Sequence, residues 1–142
     1  MFKWFFLFVS LVFSVESIAT VNIDLACKEK KEQQMSLLTK MSTSVSEANL
    51  AGQCTGYWHY NEVDLGKACS EFLEQKNALL PSLSTSLSEA NSAGICIGAI
   101  YRVAVECEVN NYHINYSKIA KNSLSARSMR DQLGCRRVHH DW

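Results

Sequence analysis

Missing from this 142-residue chain are the short motifs by which common enzyme chemistries are recognised. There is no HExxH zinc helix, no GxSxG nucleophile elbow, no phosphate-binding glycine loop and no CxxC pair. No lysine or arginine run is long enough to argue for nucleic acid. The leading apolar run, Trp4 to Val15, is too short for a comfortable transmembrane span. Phenylalanine nearly disappears after that run, since five of the six precede it or lie within it and only Phe72 follows. The core must therefore come from Leu, Ile, Val, Met and Ala, with Tyr57, Trp58, Tyr60, Tyr101, Tyr112 and Tyr116 as larger fillers. An enzyme becomes the least favoured class, and no cofactor is expected.

Lys3 stands before the apolar run, and Ser17 and Ala19 take the −3 and −1 spacing of a signal-peptidase site. The expectation is a signal peptide over 1–19, cut after Ala19, with an uncleaved anchor as the alternative. Residues 20–142 then form a single domain without stable membrane insertion, exported, and periplasmic if the source is bacterial. All six cysteines fall in that part. An even count in an exported chain points to disulfides, which support a modest core by restricting the unfolded state. The formal charge of zero hides an imbalance: Thr20–Val109 carries a net −4 and Asn110–Trp142 a net +4. A dipole of this kind steers partners, although a solvated C-terminal helix and tail would look the same.

What the chain does contain is a repeat. LLTKMSTSVSEANLAGQCTG, Leu37 to Gly56, returns forty-two positions later as LLPSLSTSLSEANSAGICIG, with thirteen of twenty residues identical. Such self-similarity marks one local structure built twice. Leu37, Leu38, Met41, Val45, Ala48 and Ala51 fall at helical spacing, as do Leu79, Leu80, Leu83, Leu87, Ala90 and Ala93. Ser44-x-x-Glu47 and Ser86-x-x-Glu89 are capping-box patterns, and Pro81 disfavours helix just before the second. Each copy reads as helix, serine-rich turn, helix, although the first copy, lacking the proline, also permits one continuous helix. The expected spans are Asp24–Lys40, Ser44–Asn61, Lys67–Leu80 and Ser86–Glu106, then one helix over Tyr116–Leu133 ended by Gly134. The fold class is all-α: a small disulfide-stapled bundle of helical hairpins, duplicated over about 27–56 and 69–98, with a C-terminal helical segment over 107–135.

Cysteine spacing tests this scheme. Twenty-six residues separate Cys27 from Cys54 and Cys69 from Cys96, and twenty-seven separate Cys107 from Cys135. In hairpins turning between the paired helices, both members of each repeat pair reach a similar level at about 1.5 Å of rise per residue. The preferred pairing of fifteen is Cys27–Cys54, Cys69–Cys96 and Cys107–Cys135, the last resting on spacing alone. Gly52 and Gly56, like Gly94 and Gly98, lie four apart on one helix face with a cysteine between them. Glycine within a helix costs about 1 kcal/mol against alanine, so its repeated use implies close approach of another backbone or, less favoured, a ligand groove.

His113, His139 and His140 are scattered or terminal, His59 lies at a helix end, and no metal site is expected. Glu29 with Glu32, and Glu106 with Glu108, read as solvating charges. Asn115-Tyr116-Ser117 is a glycosylation sequon, relevant only in a eukaryotic source.

The segment Ala93-Gly-Ile-Cys-Ile-Gly-Ala-Ile-Tyr101, with Cys69 before it and Cys107 and Cys135 after it, resembles the Rap/Tai immunity family of type VI secretion. Those small exported helical proteins bind and block peptidoglycan amidases delivered by sibling cells. The match covers about Ala68 to Arg136. The sequence departs from the family in lacking a proline soon after Cys107 and in carrying the extra first copy. The resemblance implies an exported immunity-type binding protein that blocks a cell-wall-degrading amidase by occlusion. Tyr57, Trp58, Tyr60 and Tyr112 are the candidate partner-binding residues, because tyrosine and tryptophan dominate binding hot spots. Capping of the hairpin core is the competing role for them. A secreted helical carrier of a small apolar ligand is the alternative function. Insect odorant-binding proteins share its export, helices and six cysteines, but their second and third cysteines are far closer than Cys54 and Cys69.

Overall fold

The computed structural model describes residues 21–35, 44–78, 85–110, 114–122 and 124–135. The expected signal peptide over 1–19, the stretches 36–43 and 79–84 leading into the two serine caps, Tyr112, His113, His139 and His140 lie outside these residues. All regular structure among the described residues is helical. The helices are α1 (Ile23–Met35), α2 (Val45–Trp58), α3 (Leu65–Asn77), α4 (Leu87–Glu106), α5 (Tyr116–Asn122) and α6 (Ala126–Gln132).

Short polar side chains start them. The Ser44 hydroxyl accepts from the Glu47 amide at 3.1 Å, and Ser86 from the Glu89 amide at the same distance. At Ser86 the box is complete, because the Glu89 carboxylate accepts from the Ser86 amide at 2.7 Å. Those bonds hold the Glu89 carboxyl below its ordinary value. Asp64 caps α3 through the Lys67 amide at 3.0 Å, so that helix begins two residues before the expected Lys67. At its far end Ala78 turns extended, short of the expected Leu80.

Two expected spans need correction. α2 stops at Trp58, not Asn61, because the His59 carbonyl accepts from both Glu62 and Val63 in a tight turn. The single helix expected over Tyr116–Leu133 is two. Leu124 N–H bonds back to Ile119, and Ser125 accepts from the Ser128 amide at 3.2 Å to start α6 afresh. α4 and α6 then end alike. In each, the first residue past the cap is left-handed, Glu108 at φ 52° and Gly134 at φ 68°. The next amide bonds five residues back, Val109 to Ala104 and Cys135 to Arg130.

The three disulfides are Cys27–Cys54, Cys69–Cys96 and Cys107–Cys135. The first ties α1 to α2, the second α3 to α4, and the third joins the C-terminal ends of α4 and α6. The two hairpins meet through α2 and α4, the most extensive contact among the described helices. A Cβ built on Gly52 would lie 2.1 Å from the Asn91 carbonyl oxygen, and one on Gly94 2.1 Å from that of Asn49. Gly56 opposes Ile95 and Gly98 opposes Gln53 in the same way. Contact positions rise together along both helices, so α2 and α4 run parallel, related by a local pseudo-twofold. Side chains repeat the symmetry: Asn49 donates to the Ala90 carbonyl at 3.2 Å, and Asn91 to that of Ala48 at 3.1 Å. The paired glycines thus serve backbone approach, with carbonyls where side chains would be.

The rest is lopsided. α5 packs on α3 and α6 on α4, closing a core of Leu65, Cys69, Cys96, Ile100, Val103, Ile119 and Met129 around the second copy. Phe72 meets Tyr116 there, ring centroids 5.0 Å apart, and burial raises the Tyr116 hydroxyl above its usual value. Among its described residues, the first copy's helices bury Ala26, Ala48, Ala51, Cys54 and two glycines. Lys30 occupies the position equivalent to Phe72, forty-two residues earlier, so its flank is built for water.

Candidate functional site

The repeat loses its identity immediately after Gly56 and Gly98. Tyr57, Trp58, His59 and Tyr60 stand opposite Ala99, Ile100, Tyr101 and Arg102. Here the two copies present different side chains, and Tyr57, Trp58, Tyr60, Tyr101 and Arg102 form one cluster. Tyr57 meets Trp58 edge-on at 5.1 Å and lies tilted against Tyr101 at 6.0 Å. The Arg102 guanidinium lies 5.0 Å from the Tyr57 ring and 5.8 Å from those of Trp58 and Tyr60. Ile100 is fully buried, whereas its counterpart Trp58 is 60 % exposed. The second copy covers this position with its own core, and the first leaves an indole open to solvent.

Beneath the cluster lies a polar network. Arg130, only 6 % exposed, reaches from α6 to donate to the Tyr60 hydroxyl at 2.8 Å, Glu106 Oε2 at 3.2 Å and Asn61 Oδ1 at 3.1 Å. Tyr60 donates to Glu106 Oε1 at 2.8 Å, and Arg102 Nε donates to the same oxygen at 2.9 Å. Burial pushes the Glu106 carboxyl up, but the bonds from Tyr60 and Arg102 and the charges of Arg102 and Arg130 outweigh it and hold it below its ordinary value. For Arg102, burial is likewise outweighed by its bonds to Tyr57 and Glu106, so it is a firmer cation than usual. Such a network fixes geometry, and chemistry of the nucleophile–base kind has no counterpart in it.

Comparison with family models, curated proteins and solved structures returns no match.

The four sequence candidates separate. Tyr57 and Trp58 share the open corner, Tyr60 is buried at 8 % as part of the network, and Tyr112 lies outside the described residues. For Tyr60 the structure supplies the capping role. Tyr101, Arg102, Glu106 and Arg130 complete the site, and none of them is among the partner-binding candidates that the sequence offers. Glu106, read as a solvating charge, is half-buried and paired with both arginines. The signal available was the end of repeat identity itself, where both copies change character at four consecutive positions. His59 lies 3.4 Å from Glu62, both exposed, and no metal-holding cluster occurs among the described residues. A cleft of about 180 Å³ opens between α5 and α6, lined mainly by Ile114, Ile119, Leu124, Met129 and Leu133. It falls below the roughly 300–1,000 Å³ of ligand pockets. No helix among the described residues is long and apolar enough to cross a membrane.

Proposed function

We propose that the protein is an exported binding protein that neutralises a partner enzyme by covering it, and that the corner of Tyr57, Trp58 and Tyr101 makes the contact. The single observation behind this reading is Trp58, exposed at the position where the repeat otherwise buries an isoleucine. Exposing an indole of that size forfeits burial unless something covers it, and tryptophan and tyrosine carry much of the energy of interfaces. Occlusion needs no catalytic group, only a surface held still. Disulfides across both hairpins and the network under the corner reduce the ordering cost that binding would otherwise meet. The candidate partner, from the resemblance, is a peptidoglycan amidase in the periplasm of a bacterial source.

The test is hydrolysis of peptidoglycan by candidate cell-wall amidases with and without the purified, oxidised protein. The expected result is inhibition saturating at one equivalent by a cognate enzyme. Trp58→Ala should weaken it by roughly thirtyfold or more, the equivalent of about 2 kcal/mol, with an unchanged Tm. Undiminished hydrolysis at saturating protein across the cognate set removes the amidase assignment.

A further inference from the structure

We propose that Cys107–Cys135 is a redox switch: a dithiol reductant opens it ahead of the other two bridges, and its opening withdraws Arg130 from beneath the aromatic corner. The inference rests on the fold, and only its consequence for binding rests on the reading of that corner as a contact surface. Access separates the three bridges. Cys69 and Cys96 are both wholly buried, and the first bridge has one buried half, Cys54. Cys107 and Cys135 are both partly exposed, so an attacking thiolate can approach either of them. Exposed bridges are the labile ones. A thiolate of the reductant attacks one sulfur and forms a mixed disulfide, and its second thiol then displaces the remaining protein thiol. Two electrons and two protons pass to Cys107 and Cys135, and the reductant leaves as its own disulfide.

What this bridge holds makes the opening consequential. It ends α6, seven residues that cannot remain helical in water alone, and α6 meets α4 far less extensively than α3 does. Ala126 and Met129 anchor the start of α6 in the core, which leaves its last turn dependent on the bridge. Glu108 and Gly134, the residues beside the two cysteines, are both left-handed. That backbone is strained for glutamate but not for glycine, and such strain collects at segments with two states. Arg130 lies in this same last turn, and its carbonyl accepts from the Cys135 amide at 3.0 Å. Its side chain joins α6 to Tyr60 and Asn61, past the end of α2, and lies 5.1 Å from the Tyr60 ring centroid. Once the bridge is open, Tyr60 loses a donor and a cation, and Glu106 loses one of its two arginines. Arg102, bonded to Glu106 and lying over Tyr57, Trp58 and Tyr60, carries that change to the open corner.

The experiment treats the full oxidised protein with graded dithiothreitol, without denaturant, then alkylates free thiols and maps them by peptide mass spectrometry. The expected result is joint labelling of Cys107 and Cys135 at a dithiothreitol concentration about tenfold below that which labels any other cysteine. Hydrogen exchange of this singly opened form should show lost protection over 130–135 and 59–63, while 45–56 and 90–104 keep theirs. Cys107→Ser with Cys135→Ser should reproduce that pattern, and oxidised dithiothreitol should restore the parent's. Should the double variant fail to fold, the stepwise reduction of the parent decides by itself. Labelling of Cys27 and Cys54 first, or of all six cysteines together, overturns the inference. So does opening of the third bridge with protection unchanged over 130–135 and 59–63. Amidase inhibition is then compared between the oxidised and singly opened forms, and the opened form should inhibit less. If inhibition is equal although 59–63 has lost protection, the switch stands and the corner falls as the contact surface. If neither form inhibits any amidase, labelling and exchange decide the switch and the amidase assignment falls.

Discussion

A methyl group at Gly94 would have to share space with the Asn49 carbonyl oxygen, 2.1 Å from where its carbon must lie. That neighbour is helix backbone, which cannot rotate aside as a side chain can. Overpacking of this sort typically costs 1–3 kcal/mol, and a backbone obstacle places Gly94→Ala at or above about 3 kcal/mol. Gly52 faces the Asn91 carbonyl at the same distance across the pseudo-twofold, so Gly52→Ala should cost about as much. Glu108 poses the opposite problem, a side chain in the left-handed region where glycine is at ease. Glu108→Gly should therefore stabilise the fold by about 1 kcal/mol. Urea denaturation of the three variants measures all of this. A Gly94→Ala protein as stable as the parent would mean that the helices do not approach so closely.

Among the elements, α6 is the one most dependent on others, since seven residues are too few to hold a helix in water unaided. It is kept by the disulfide at its end and by Arg130 within the Tyr60–Glu106 network. The Glu106 carboxyl sits below its ordinary value of about 4.5 when folded. A depressed carboxylate contributes its full stability above the unfolded value and loses it as pH falls through the folded one. The gap in stability between the parent and Glu106→Gln should thus be constant from pH 7 to about 5 and close below about pH 4.5. Chemical denaturation across that range reads it directly, and a pH-independent gap would mean that Glu106 is not ionised in the network. The elements also differ in how far the sequence declared them. Ser44, Ser86 and Gly134 carry caps with recognisable partners, and the helices beside them were legible to within a residue or so at those ends. Ser125 begins α6 with Ser128 three residues on and no glutamate, so its local signal was too weak to divide an otherwise helical stretch. Arg130 entered only the net charge of Asn110–Trp142, because nothing local shows that a basic residue will be buried; its partners Tyr60 and Asn61 lie about seventy positions away. Trp58 and Tyr57 were legible as candidates by residue type, whereas the contrast with buried Ile100 required the structure.

At the scale of the whole molecule, the three disulfides close loops of nearly equal length, 27, 27 and 28 positions apart. Loop entropy therefore assigns each a similar contribution, about 3.5 kcal/mol. Any difference between them must come from what each holds in the folded state. Cys69 and Cys96 are wholly buried inside the core shared by α3, α4 and the C-terminal helices. Cys27 binds α1, a helix of which only Ala26 is buried and whose Leu25 and Met35 are exposed. Removing the first bridge should release α1 while leaving α2 and α4 paired through their glycines and asparagines. Removing the second opens a space in the centre of the core and detaches α3, on which α5 is packed. Hydrogen exchange distinguishes the outcomes. In Cys27→Ser with Cys54→Ser, amides of 26–35 should lose protection while those of 94–105 keep it. In Cys69→Ser with Cys96→Ser, protection should fall throughout the bundle, with a Tm drop at least twice as large. Equal losses in the two variants would show the hairpins to be energetically equivalent. The asymmetry that leaves Trp58 open beside a filled second core would then have no counterpart in stability.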